Sequence, residues 1–481
     1  MSASSDAPAR RTRSYGRGAS ILSVGIASTG ILTFAYFSIA SHVLGSAEAK
    51  RIDVLWSVMF VIISVIYRPI EQLLSRTIAQ RRALGQTAQS VRVPMLIQAG
   101  FALVFLALAL ILQHRLIYGV FEGSRALYVV LVVGTMAYAA SYFARGWLAG
   151  HQAFELFGGL VLMESVSRLC FALAVAIGIA DGQTAVALGI AAAPFVSLCV
   201  VPAAFARRRA GTVADRGADA LAGAPITIDE ADAALAGPGA EGVQEAAAHD
   251  ELSLRRGGGF AVWVSGIMLS EQALLNAAVL TVDATSSDKA LAGIVFNVLL
   301  IARAPLQLFQ AIQTSLLPHL AGLEATAGHD AFARAVRITV LAITAFAVTV
   351  MAVLFVVGPF TLRHILFGQD FVYKRFGLLL IGAGMGLHLI SGALNQAALA
   401  RDRARAAAFC WLACAGAFVG WMFLPAIGNQ LLRAEVGYAA ATGLLACALT
   451  AVYRRGSPAA PPSASVLPAQ PGSASERTIA L

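Results

Sequence analysis

Three arginines, Arg68, Arg168 and Arg303, stand inside long apolar runs of this 481-residue chain, and so do three glutamates, Glu71, Glu164 and Glu271. An ionised side chain in hydrocarbon costs about 2.5–3.5 kcal/mol on the insertion scale, so those that persist face a partner or a wet cavity. Spacing allows the first outcome. Glu164 and Arg168 are four residues apart and Arg68 and Glu71 three apart, so each pair can close on one helix face. Glu271 and Arg303 fall at similar depth on consecutive runs, and the three pairs would then hold a helical bundle together. The second outcome is a cavity in which arginines meet a negatively charged group. Guanidinium suits phosphate oxygens because it stays protonated and donates a planar fork of hydrogen bonds. On this reading Arg68, Arg303 and Arg168 are the candidate contacts for a phosphate-bearing substrate. Arg68 and Arg303 are favoured because each has a proline nearby, Pro69 and Pro305, whose missing donor frees a carbonyl. Membrane helices tolerate that where neighbours or cavity water replace the bond.

Around these charges, Gln72, Asn276, Asn297, Gln307, Gln310 and Gln313 could line the same cavity and bind hydroxyls. Each could equally make an interhelical hydrogen bond worth about 1 kcal/mol. Glu271 is the candidate for ion coupling, since an intramembrane carboxylate can carry a proton or bind sodium; its alternative is simple pairing with Arg303. The five cysteines all fall in apolar runs, and Cys410 and Cys414 share a helix face without the histidine or carboxylate a metal would need. His42, His364 and His388 are scattered along the chain. No phosphate-binding loop is present, so the chain is not an ATP-driven pump on its own, and neither metal nor other cofactor is expected.

The elements that must carry these residues follow from composition. Hydrophobic residues make up 58% and charged residues 13%, whereas a soluble domain carries about 25% charged residues. That excludes a soluble enzyme. A bilayer crossing needs about 20 apolar residues of helix, and twelve stretches qualify, near 19–44, 53–78, 93–112, 126–143, 156–180, 184–205, 258–282, 289–317, 338–357, 376–399, 406–425 and 436–453. Most of the 35 lysines and arginines fall in the N-tail, the even-numbered loops and the C-tail, which places both termini in the cytoplasm by the positive-inside rule. The +9 charge is thereby explained by topology, and no nucleic-acid partner is implied.

The chain divides into an N-tail (1–18), a six-helix bundle (19–205), a linker (206–257), a second six-helix bundle (258–453) and a C-tail (454–481). The linker is rich in Ala, Gly, Asp and Glu and the C-tail in Pro, Ser and Ala, compositions of disordered segments. Two bundles of six spans are an arrangement of transporters built from repeats. A faint repeat accompanies it: at one constant offset, Ile66, Arg68, Gln72 and Leu73 of the second span fall on Ile301, Arg303, Gln307 and Leu308 of the eighth.

Arg17 and Gly18 before the first span, the stretch 34–45 ending in Val43, Leu44 and Gly45, and the polar exit 72–76 leading to Ile78 and Ala79 resemble the multidrug, oligosaccharidyl-lipid and polysaccharide exporter (MOP) superfamily. The branch they resemble is that of the bacterial polysaccharide-biosynthesis flippases, although Ala47, Glu48 and Ala49 stand where that branch has an aromatic-glycine pair. The resemblance implies an all-α polytopic protein of two pseudo-symmetric bundles rocking between inward-open and outward-open states in a bacterial plasma membrane. It implies a polyprenyl-diphosphate-linked sugar or oligosaccharide as cargo, membrane lipids around it, and a polysaccharide polymerase or glycosyltransferases as partners.

The rival within the superfamily is a MATE-type multidrug exporter, whose organic-cation cargo calls for unpaired acids in the cavity; the first span contains none. The major facilitator fold shares the six-plus-six layout, but its acidic-basic loop after the second span is not matched by 76–85. A lipid-linked glycosyltransferase would place an acidic pair on a substantial outer loop, whereas Glu48 and Asp53 sit on a short connection. A non-enzymatic scaffold leaves the intramembrane arginines unexplained.

Overall fold

The computed structural model describes residues 25, 28–86, 91–199, 253–285, 305, 306, 309, 312–326, 328–361 and 375–455. Asn297, Arg303 and Gln307, the N-tail, most of the predicted linker and the C-tail beyond 455 lie outside the described residues. The described residues are helical apart from short turns. The first bundle comprises α1 (28–43), α2 (Ser46–Ile66), α3 (Arg68–Ala83), α4 (Arg92–Ile111), α5 (Arg125–Gly150), α6 (Phe154–Ala176) and α7 (Gly182–Ser197). The second comprises α8 (Leu254–Thr285), α9 (312–326), α10 (Gly328–Thr361), α11 (Arg375–Ala400), α12 (Ala404–Phe423) and α13 (Gln430–Arg454). Eight of the described helices are long and apolar enough to cross a bilayer.

The predicted second span is one crossing broken in the middle. Pro69 sits in the first turn of α3, where its missing N–H costs nothing, and Tyr67 caps α2 by donating to the Ile63 carbonyl at 2.9 Å. Arg68 therefore begins a new helix at the break, and its side chain projects from there. The fourth span runs longer than its apolar core: α5 continues to Gly150, which brings Arg145 into the helix. Likewise α8 begins at Leu254, ahead of the predicted end of the linker.

Helix α3 packs on α5 across two glycines one helical turn apart. A β-carbon at Gly146 would lie 2.8 Å from the Glu71 carbonyl oxygen, and one at Gly150 would lie 2.6 Å from Ile78 Cβ. Small residues at this spacing let membrane helices approach backbone to backbone. Gly146→Ala is accordingly expected to destabilise the first bundle by about 1–3 kcal/mol, the range for overpacking a close contact; a thermal midpoint in detergent equal to wild type would refute it.

In the second bundle α11 is the axis: 72% of its most apolar stretch is buried, against 11% for α10, so polar residues on α11 face protein and not lipid. The two bundles meet through α8, which packs on α2, α3 and α4. There Ile70, Leu73 and Ile97 join one apolar cluster with Phe260, Leu274 and Phe309. The repeat seen faintly in sequence is visible in the backbone. The turn from α5 to α6 has Gln152 at φ 58° and the turn from α11 to α12 has Asp402 at φ 58°. Their hydrogen bonds run in parallel: Gln152 N to Ala149 O and Ala153 N to Leu148 O in one, Asp402 N to Leu399 O and Arg403 N to Ala398 O in the other.

Candidate functional site

A cleft between the bundles is lined by Arg68, Glu71, Gln72 and Ser75 of α3 and by Gln313, Thr314 and Leu317 of α9. It is narrow in this conformation, with room for about one water molecule. Arg68 crosses it. The guanidinium Nη2 donates to Gln313 Oε1 at 3.4 Å, and Nη1 lies 4.0 Å from Glu271 Oε2. Gln313 can occupy this place because Gly392 on α11 has no side chain; a β-carbon there would sit 2.4 Å from Gln313 Nε2.

Glu271 connects the cleft to the core of the second bundle. Its other oxygen, Oε1, lies 3.9 Å from His388 Nε2, and His388 Nδ1 is 3.3 Å from the Tyr438 hydroxyl. The imidazole is set edge-on to Trp411, with ring centroids 5.5 Å apart. Five helices thus converge on one carboxylate and one imidazole in an apolar surround. Such a pair can exchange a proton or hold a small cation, and any change in the charge of Glu271 is felt directly by Arg68 across the bundle boundary.

Several sequence expectations are revised here. Arg68 does not pair with Glu71: it turns to Glu271, and Glu71 is buried in the cleft wall without an ion pair among the described residues. Glu271 faces Arg68 and His388; its expected partner Arg303 lies outside the described residues. Glu164 and Arg168 do not pair although their spacing permits it. Glu164 binds Arg145 and accepts from Ser141 and Ser197. Arg168 donates to the Tyr138 hydroxyl at 2.9 Å and to Ser165 Oγ at 2.8 Å, and its guanidinium lies 4.7 Å from the Trp56 ring centroid. It is sealed in the first bundle at 5% exposure and does not reach the cleft. Asn276 donates to the Gln272 carbonyl one turn back on its own helix, at 2.8 Å, and does not line the cleft either. Gln72 does line it, with Oε1 buried and without a hydrogen-bond partner among the described residues.

His388 and Arg145 were the functional candidates that sequence reading missed. The available signal for His388 was an ionisable residue midway along a 26-residue apolar helix, the criterion that singled out Glu271. Arg145 gave no such signal, because it lies beyond the apolar core of its span.

No family model matches the sequence, and no curated protein does. Among solved structures, the MATE transporter ClbM in complex with Rb+ has a TM-score of 0.70 and 13% identity, covering 93% of this chain and 95% of its own. The Vibrio cholerae MATE transporter VcmN has a TM-score of 0.68 and 13% identity, covering 92% and 96%. An outward-facing multidrug-resistance MATE transporter of the MOP superfamily has a TM-score of 0.66 and 13% identity, covering 92% and 94%. At such identities the likeness is one of fold. The chain is a multi-pass, all-α membrane protein with the MATE architecture, twelve transmembrane helices in two pseudo-symmetric six-helix bundles.

Proposed function

We propose that this protein is a MATE-type exporter that moves amphipathic organic cations by alternating access, coupled to an ion gradient through Glu271. The observation that carries the reading is Glu71. A buried carboxylate facing the inter-bundle cleft without an ion pair among the described residues is the acid such a cargo requires, and it was absent from the first span alone. The Arg145 and Arg68 guanidiniums act on it only from beyond ion-pair distance, so its burial is incompletely offset and a bound cation would complete it. The fold likeness to MATE transporters supports the same reading. Both termini cytoplasmic, in a bacterial plasma membrane, is the topology that fits the distribution of basic residues.

One observation favours a second reading, the flipping of a polyprenyl-diphosphate-linked sugar: Arg68 faces the cleft with the amides Gln72 and Gln313 beside it. Two variants separate the readings. In acid-loaded everted vesicles, Glu71→Gln is expected to lower ethidium uptake at least about tenfold, the loss of one charge-assisted contact in a desolvated site. If instead Arg68→Ala abolishes flipping of a fluorescent polyprenyl-diphosphate sugar in liposomes, and ethidium uptake is absent from wild type, the cargo is the anionic lipid.

A further inference from the structure

We propose that Arg76, Asp402 and Arg256 form an ionic latch that locks the two bundles together at the arginine-rich face, and that this latch must part for the cleft to open there. Arg76 is two turns along α3 from Arg68, about 12 Å at 1.5 Å per residue. Its Nη1 donates to Asp402 Oδ1 at 2.9 Å, while Arg256 Nη2, at the start of α8, donates to Oδ2 at 3.1 Å. One carboxylate oxygen therefore serves each bundle. The Arg76 guanidinium also lies over the Phe260 ring, 5.2 Å from its centroid, and its side chain is only 11% exposed.

The turn that carries Asp402 is anchored on both flanks within the second bundle. Arg401 donates to Glu324 at 3.2 Å and covers the Phe332 ring; Arg403 donates to the Val452 and Arg455 carbonyls at the end of α13. Asp402 reaches across to the first bundle. Its backbone is left-handed, which aspartate tolerates better than most residues, but the equivalent turn of the first bundle adopts the same φ with Gln152. The turn thus does not demand an acid; the contact to Arg76 does. Partial burial works to raise the Asp402 carboxyl, and the Arg76 and Arg256 guanidiniums outweigh it and hold its pKa below the ordinary value. It stays ionised at any pH near neutrality. Helix α3 is consequently fastened to the second bundle at two depths, by a contact that Glu271 can release on gaining a proton or cation and by one that it cannot.

This inference rests on the alternating-access reading, and the test separates the two. Ser75 lines the cleft at 3% exposure, so Ser75→Cys reports its opening to a membrane-impermeant maleimide added on the arginine-rich side, with labelling of the chain lacking the reporter subtracted. Asp402→Asn and Asp402→Gly both preserve a left-handed turn, and each is expected to raise the labelling rate about tenfold, equivalent to about 1.4 kcal/mol. Ala172→Cys, wholly buried in the first bundle, is expected to stay unlabelled in both variants; labelling there would mean general loosening and overturn the latch. An unchanged Ser75→Cys rate in the Asp402 variants, with an increase in Glu271→Gln, overturns the latch and leaves alternating access standing. No increase in any variant overturns both.

Discussion

Glu271→Gln is expected to reduce gradient-driven ethidium uptake in everted vesicles to the level of empty vesicles while leaving downhill exchange measurable. Glutamine keeps the volume and one acceptor of the carboxylate, so the five-helix junction around His388, Tyr438 and Trp411 survives. What it removes is the charge that Arg68 meets at 4.0 Å and His388 at 3.9 Å, and with it the ability to take up and release a proton or cation during each cycle. A ligand can bias two conformations only by binding them unequally. Glu271 meets that condition because its partner Arg68 belongs to the other bundle, so occupation of the carboxylate changes the cost of separating them. Exchange without a gradient needs the cleft to open and close but needs no net ion movement. His388→Gln is expected to have a weaker effect of the same kind, since Arg68 still opposes the carboxylate. Driven uptake at wild-type rate in Glu271→Gln would remove Glu271 from the coupling step.

The parts of this site that could be read from sequence are those set by one helix at a time. Apolar run length gave the spans, and Pro69 gave the break that exposes Arg68 at the start of α3. What could not be read were choices between neighbours on different helices. Glu164 has Arg168 one turn away, yet it takes Arg145 from α5. Arg168, left without it, finds Tyr138, Ser165 and the face of Trp56. Arg68 likewise passes over Glu71 for Glu271. In each case the winning partner is offered by the packing of another helix. The packing in turn depends on where glycines permit close approach, at Gly146 for α3 on α5 and at Gly392 for Gln313 on α11. A local i, i+4 pair is worth a few tenths of a kcal/mol in water, too little to hold against a better-shaped interhelical contact inside the membrane.

The Arg145–Glu164 pair should give the largest loss of stability from a single substitution. Both side chains are buried, at 11% and 3% exposure, and Ser141 and Ser197 complete the hydrogen bonds of the carboxylate. Glu164→Gln preserves shape and an acceptor for those hydroxyls but leaves the Arg145 guanidinium without its ion pair, with the Tyr142 ring at 4.5 Å and the more distant Glu71 carboxylate to offset its burial. Breaking a buried pair by removing one partner costs about 3–5 kcal/mol, whereas replacing both members with uncharged groups of similar size is often close to neutral. The double variant Glu164→Gln with Arg145→Met is therefore expected to be more stable than Glu164→Gln alone, by about 2 kcal/mol or more on the same scale. Unfolding of the purified protein in mixed micelles, monitored by tryptophan fluorescence, measures both. If the double variant is as unstable as the single one, the cost lies in lost packing and not in the stranded charge. If Glu164→Gln is as stable as wild type, the pair does not hold the first bundle together, and its conspicuous burial would have to serve the transport cycle.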